Sequence, residues 1–533
     1  MPRGSWPSES SDSSAADWKR VPWWPPDVFA VAATLAQLSD LHTHPSVRGG
    51  AGLGNHAREA KLLGKAWANF SFSHRSLTRQ LQRQWDTLLA SSDRLVSIAP
   101  AGALLPEWAR AAISLLAISD EACAGVGFGG TSAVAVRAQA ESAARSYLTL
   151  AMAVDPVECS VQPKARTPSV GCNLRSTSLH LALLPGRYQV QTQHLGFPNP
   201  LTGNSLGLVL IPFPYVVGTT DFEGKLVQRH AWGRLRVRSR WAEKVSPVEL
   251  ADFTEALIAQ SESAGHRCDL VVFPELAMGH SHFHTLADRL TRRGKPCLFV
   301  AGVGEGGGEV ARNVVRAGVL GMGDGARFWV QSKHHRWKVE KWQIKNYGLS
   351  LDPSASWWED IDVSSRRVIV THFHRAASIA TLVCEDLARI EPVQPVIREL
   401  GPTLVLALLM DGPQRAARWP GQYAGVLAED PGSSVLSVTS LGLVRRYRQF
   451  REEGRGDSHA IVGLWKDRAG QAKELGLPPD HHALHLSLRL RRRTEHTLDG
   501  RDDGGSARFL TLEGVAPLRH PQAKAWARSF YAS

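Results

Sequence analysis

The spacing of apolar and polar positions divides the chain into two parts with different periods. In RSLTRQLQRQWDTLLASSDRL and PEWARAAISLLAISDEACAG, apolar residues recur three and four apart, which predicts helices, the second opened by Pro106. The pattern holds from Val28 to about Met152 and predicts a mainly α-helical accessory region over 27–160. Before it, residues 1–26 are rich in Ser, Pro and Trp and are expected to be disordered, although the tryptophans up to Trp24 could dock on a surface. After it, VQPKARTPSVGCN reads as a linker and LHLALLPGRYQVQT as a strand pair turning at Pro185-Gly186, together filling 161–202.

From residue 203 the pattern changes. LGLVLIPFP, CDLVVFPE and PCLFVAGV are short buried strands, separated by the amphipathic helices PVELADFTEALIAQSESAG and SHFHTLADRLTRRG. Further strands follow in ASIATLVCED, TLVLALLM, SSVLSVTSLG and HHALHLSLRL, with HAIVGLWKDRAG resembling a hairpin. Strand–helix alternation of this kind predicts α/β layers over 203–495, leaving 496–533 as a C-terminal extension. No repeat of fixed period is present.

Composition narrows the class. Over 533 residues, 43% are hydrophobic and 21% charged, which excludes a wholly disordered chain. The N-terminus has no basic segment feeding an apolar one, and no run of 18 apolar residues occurs downstream, so the expectation is a soluble, unsecreted, cytoplasmic protein with no membrane partner. Six cysteines without metal-type spacing predict neither a disulfide framework nor a structural metal, and a reducing compartment would keep Cys384 a free thiol. The net charge of +12 concentrates in KHHRWKVEKWQIK, LVRRYRQFREEGR and LRLRRR. Such clusters attract nucleic acid or form solvated faces, and none sits in a recognisable nucleic-acid motif.

Three predicted strands end in chemically useful side chains. CDLVVFPE ends at Glu275, RFWVQSKHH carries Lys333 and TLVCED ends at Cys384, where an apolar run turns abruptly into two acids suited to a helix start. An elbow of that kind can hold a nucleophile. A thiol is mostly protonated at neutral pH, so attack on a carbon–nitrogen bond needs a carboxylate to take its proton and return it to the departing amine, a role that Glu275 fits. The negative charge formed at the attacked group needs a fixed cation and an N–H donor, which Lys333 and the backbone amide of Glu385 can supply.

This arrangement resembles the nitrilase superfamily of carbon–nitrogen hydrolases, in the stretches CDLVVFPELAMG, RFWVQSKHH and LVCEDLA and in their order. The intervals of 58 and 51 residues, together 109, agree with that resemblance. It extends over roughly 203–495, where GPTLVLALLMDGPQ and AGVLAEDPGSSVLSVTSLG resemble the family's strand, helix and strand after the cysteine. The resemblance implies a four-layer αββα sandwich, a Glu-Lys-Cys triad of Glu275, Lys333 and Cys384, an amide or nitrile as small-molecule substrate, no cofactor, and a homodimer or larger oligomer. Among Lys333, Lys338, Lys341 and Lys345, Lys333 alone follows a strand-like run and precedes histidine, as in the family. Many members carry a second glutamate after the lysine, for which Glu340 is the candidate, the alternative being a surface partner of Lys338 or Arg336. The insertion WKVEKWQIKNYGLSLDPSASWWED is aromatic and unlike a small-amidase segment, and could line or lid the substrate pocket.

Other motifs are weaker. His42 and His44 in DLHTHP have metal-site spacing but lie in a helical region, and read as loop histidines. GVGFGGTSA lacks a phosphate-loop ending, and GVGEGGGE turns acidic. His280, His282 and His284 read as solvent-facing helix histidines, with substrate contact as the alternative. No GxSxG elbow occurs. The competing function is a non-catalytic or effector module binding nucleic acid or a protein. KHHRW and DGPQ with RWP are similar to nitrilase-like domains of bacterial antiphage reverse transcriptase systems, although this chain has no Tyr-x-Asp-Asp signature.

Overall fold

The computed structural model describes residues 18–44, 55–69, 75–92, 104–145, 149–168, 171, 173–186, 191–229, 231–306, 311–321, 326–447, 460–520, 522 and 525–528. Two large sheets form the centre. One runs, in spatial order, through strands Arg327–Ser332, Arg312–Leu320, Cys297–Glu305, Leu270–Val272, Ser205–Leu210, Ala483–Arg493 and Ala507–Leu518. The other runs through Ala472–Leu477, Ala460–Lys466, Ser434–Thr439, Leu404–Leu409, Ala377–Val383, Arg367–His374 and Gln191–Leu201.

Alternation within one buried strand explains how the sheets stack. Leu404, Leu406 and Leu408 share a core with Leu208, Val271 and Phe299 of the opposite sheet. Val405 and Ala407 instead pack with Val393, Val396 and Ile397 of helix Val393–Leu400 and with Leu427 of helix Trp419–Glu429. A strand that reads as uniformly apolar therefore has two covered faces, as a doubly covered sheet requires. Helices Pro247–Ser263 and His280–Arg292 cover the first sheet, giving the αββα order. The fold is mixed α/β.

Helices Pro25–Leu38, His56–Ala68, Arg75–Leu89, Glu107–Ala122 and Ala133–Arg145 form a separate apolar core. Four expectations need correction. Residues 18–26 are packed rather than disordered: Trp24 is buried and its indole donates to Leu150 O at 2.7 Å, while Trp85 donates to Trp18 O at 2.8 Å. Residues 1–17 lie outside the described residues. The strand pair at Pro185-Gly186 does not form, because Leu181–Pro185 pairs antiparallel with Cys159–Pro163, and Gln191–Leu201 joins the second large sheet parallel to Arg367–His374. The boundary at 495 falls between two strands of a hairpin, since Ala483–Arg493 pairs with Ala507–Leu518 from end to end.

Nor is 161–202 a loose tether. Arg175 forms a two-bonded pair with Asp430, and buried Arg166 pairs with Glu495 at 3.4 Å. A buried ionic network also joins the helical region to the sandwich. Asp120 accepts from the amides of Leu179, His180 and Leu181 at 2.7–2.9 Å and from the Arg501 guanidinium at 2.9 Å. Arg501 also donates to Asp499, Glu121 and the carbonyl of Thr177, and Asp499 in turn bonds His56. No helix among the described residues is long and apolar enough to cross a membrane.

Candidate active site

Glu275, Lys333 and Cys384 each lie just beyond the carboxyl end of a strand, where open α/β sheets place ligands. Lys333 Nζ donates to Glu275 Oε1 at 2.8 Å and to Glu359 Oε2 at 2.7 Å. Asn313 Nδ2 bridges the same two acids, at 2.7 Å to Glu275 Oε1 and 3.0 Å to Glu359 Oε1. All four side chains are buried. Glu275 Oε2 is also buried, and it has no hydrogen-bond partner among the described residues.

Burial, the largest influence, pushes the Glu275 carboxyl up; Lys333 opposes this and Glu359 adds to it. Burial works against the Lys333 charge too, but Glu275, Glu359 and the Cys384 sulfur outweigh it and hold the ammonium well above its ordinary range. The two directions are compatible. Two carboxylates around one ammonium leave an excess negative charge in a dry site, which a proton on Glu275 would relieve. The Cys384 thiol is pushed well above its ordinary range by burial and then by Glu275, with Lys333 and the Met410 N–H favouring the thiolate. The sulfur is thus within electrostatic reach of both partners.

Backbone geometry fixes two of these positions. Cys384 has φ 47° and ψ −107° at the N-cap of helix Glu385–Ala388, and its amide bonds Leu408 O at 2.9 Å. A non-glycine residue at positive φ carries strain that the surroundings must hold. Leu276, following Glu275, also has positive φ, at 50°. Gly302 is what lets that loop lie on strand Cys297–Glu305: a Cβ there would fall 2.4 Å from both Glu275 Cα and Pro274 O. Gly302→Ala is expected to displace Glu275 and to cost roughly 1–3 kcal/mol of stability, the usual range for overpacking a closely packed position. Denaturant midpoints would check this, and a loss under about 0.5 kcal/mol would show that the loop moves away from the added Cβ at little cost.

Asp386 explains the second acid of the elbow. Buried, its carboxylate accepts from the amides of His334 and His335, both at 3.1 Å to Oδ1, and pairs with His335 Nδ1 at 3.0 Å. It clamps the loop after Lys333 to the turn after Cys384. The first acid, Glu385, places its carboxylate on Arg389, and its amide is the first of the short helix.

Glu340 is not in the cluster. Its side chain is 49% exposed and pairs with Lys338 at 2.9 Å, while its backbone caps helix Lys341–Tyr347. Glu359 holds the second-carboxylate position instead, at the end of strand Ser356–Glu359, where alternation turns Trp357 and Glu359 inward and Trp358 outward. Sequence reasoning missed Glu359 and Asn313. The available signals were an acid closing the WWE strand and an amide near the start of an otherwise apolar strand, RNVVRAGVL. His282 is not solvent-facing: it is buried and its Nε2 meets Val245 O at 2.7 Å. A cavity of about 510 Å³ is lined by Asn313 and Glu359 with Leu276, His282, Arg238 and Arg312; Glu275, Lys333 and Cys384 do not line it. Among the described residues no group of three or more His, Cys, Asp or Glu could hold a metal ion.

No family model and no curated relative matches the sequence. Among solved structures the chain is similar to Nit3 of Saccharomyces cerevisiae, a member of branch 10 of the nitrilase superfamily, at 12% identity and TM-score 0.33 over 54% of this chain and 92% of that one. It is similar to XC1258 of Xanthomonas campestris, a CN-hydrolase superfamily protein with an arsenic adduct in its active site, at 16% identity and TM-score 0.32 over 54% and 91%. A carbon–nitrogen hydrolase from Helicobacter pylori G27 matches at 10% identity and TM-score 0.30 over 53% and 89%. Over about half of its length, then, the structural neighbours of this chain are nitrilase-superfamily carbon–nitrogen hydrolases.

Proposed function

We propose that the protein is a thiol hydrolase acting on a non-peptide carbon–nitrogen bond, an amide or a nitrile, in a reducing compartment. The observation that carries this reading is Glu275 Oε2, buried and without a hydrogen-bond partner among the described residues, on a carboxylate bonded to the Lys333 ammonium and electrostatically coupled to the Cys384 thiol on its strained turn. For an amide, the Cys384 sulfur attacks the carbonyl carbon while its proton passes to Glu275. Lys333 and the Glu385 amide stabilise the resulting oxyanion. Collapse breaks the carbon–nitrogen bond, and the amine leaves with the proton from Glu275. Water, deprotonated by Glu275, then cleaves the thioester, releasing the acid and restoring the thiol. Asn313 and Glu359 hold Glu275 and Lys333 in place and do not react.

The test is adduct trapping. The protein incubated with a panel of primary amides and nitriles, then quenched in acid, should gain the mass of one acyl or thioimidate group on the peptide containing Cys384. Cys384→Ala should gain none. If no member of the panel gives an adduct or releases ammonia, the competing reading of a non-catalytic module binding nucleic acid or protein takes precedence.

A further inference from the structure

The four-stranded sheet built around the insertion is not consumed by the site. Its strands lie in the order Lys338–Val339, Ser356–Glu359, Trp232–Val237, Phe222–Gln228. The inner face is closed: Trp357 and Leu235 are buried, and Gly224 and Gly233 lie against the Trp357 ring so closely that a Cβ on Gly233 would fall 2.5 Å from it. The outer face is different. Lys338 is opposite Trp358, Trp358 opposite Arg234, and Arg234 opposite Lys225, so one line crosses all four strands with three cations and one indole.

The line spans roughly 14 Å at the usual strand spacing. Trp358 is 42% exposed, the Arg234 side chain 59% and the Lys338 side chain 40%, with the Lys338 ammonium 5.6 Å from the Trp358 ring. Lys225 and Arg234 are like charges directly opposite in an antiparallel pair, an arrangement that weakens a sheet unless an anion lies over it. Neighbouring acids neutralise the line only in part. Asp360 sits 4.0 Å from Arg234 and closer to Arg236, Glu340 pairs with Lys338, Glu223 pairs with Arg238 and Arg240, and Lys225 has no ion-pair partner among the described residues.

We propose that this outer face binds single-stranded nucleic acid, with a base stacked on Trp358 and backbone phosphates on Arg234 and Lys225. An exposed indole flanked by cations on an open sheet offers a π-face to an unpaired base and charge to its phosphates. A duplex keeps its bases stacked inside and offers nothing to Trp358. The net charge of +12 draws polyanions toward the molecule from any side. Among the basic clusters of the sequence, Lys333 and His334 are buried and Arg491 pairs with Glu513, so the line on the sheet is formed by residues distant in the chain rather than by one such run.

The experiment is fluorescence anisotropy of the full chain with labelled oligo(dT) and oligo(U) of about 15 nucleotides, a length covering the usual site sizes. Trp358→Ala should weaken binding roughly 5- to 100-fold with its salt dependence unchanged, and Trp358→Phe should restore most of it. The pair Lys225→Gln with Arg234→Gln should flatten the plot of log affinity against log salt by about 1.4, the loss of two phosphate contacts. Cys384→Ala should bind as the parent does, which keeps this test separate from the proposed chemistry. Thermal unfolding checks the fold of each variant, and the exposed charge pair remains informative if Trp358→Ala unfolds. The proposal is overturned if the parent does not bind either oligonucleotide, if Trp358→Ala and the charge pair both leave affinity unchanged, or if a duplex binds as tightly and Trp358 is indifferent.

Discussion

Glu275→Gln is expected to lower the rate of adduct formation by roughly 100- to 10,000-fold, the usual worth of a general base. The same change should act on the thiol in the opposite sense. Burial is the main cause of the raised Cys384 pKa, and the charge on Glu275 is the next. Glutamine keeps the shape and the bond from Asn313 but removes that negative charge. The thiol should then ionise at lower pH, and the midpoint of alkylation by iodoacetamide, followed across pH, should move down. A residue that only supports the fold would not slow turnover while making the sulfur easier to ionise. If turnover survives within a factor of ten, or the alkylation midpoint moves up, Glu275 is not the base.

Arg501→Ala should cost about 3–5 kcal/mol of stability, the range for stripping one partner from a buried ionic cluster. The side chain is fully buried, and its removal leaves Asp120 and Asp499 without their cation. Arg491→Ala gives the contrast: its pair with Glu513 is half exposed, and the change should stay within about 0.5 kcal/mol. Burial alone would raise both aspartates, but Arg501 reverses this and holds each below the ordinary carboxylate range. Depressed carboxylates stabilise a fold above their unfolded pKa of about 4, and that stability is lost as pH falls through their folded values. The deficit of Arg501→Ala should therefore be largest near neutrality and shrink in acid. Denaturant midpoints measured across pH would show it, and a deficit under 1 kcal/mol at pH 7 would mean that water or rearrangement replaces the guanidinium.

How much could be read from the sequence follows from where each signal resides. Glu275 and Cys384 each close an apolar run and Lys333 follows a strand-like aromatic run, so position and chemistry are visible within a few residues. Glu359 is different: its role depends on which face of a short strand turns inward, and that is decided by Gly224 and Gly233 making room for Trp357, far away in the chain. Glu340 was the nearer acid to Lys333, and distance along the chain was misleading. At Pro185-Gly186 a good local turn signal lost to a non-local partner, the strand Cys159–Pro163, which VECSVQP does not announce. The last strand, ARFLTLEGVAPL, mixes faces because its register against Ala483–Arg493 shifts at Ser487, so its alternation is broken in sequence although its pairing is continuous.

Asp120 and Arg501 meet across 381 residues of chain. During synthesis the helices that carry Asp120 leave the ribosome long before the guanidinium that neutralises it, and the three amides it holds arrive about sixty residues later. The latch between helices and sandwich is therefore completed only after Arg501 has been made, and shortened chains ending before it would emerge with the seam unlatched.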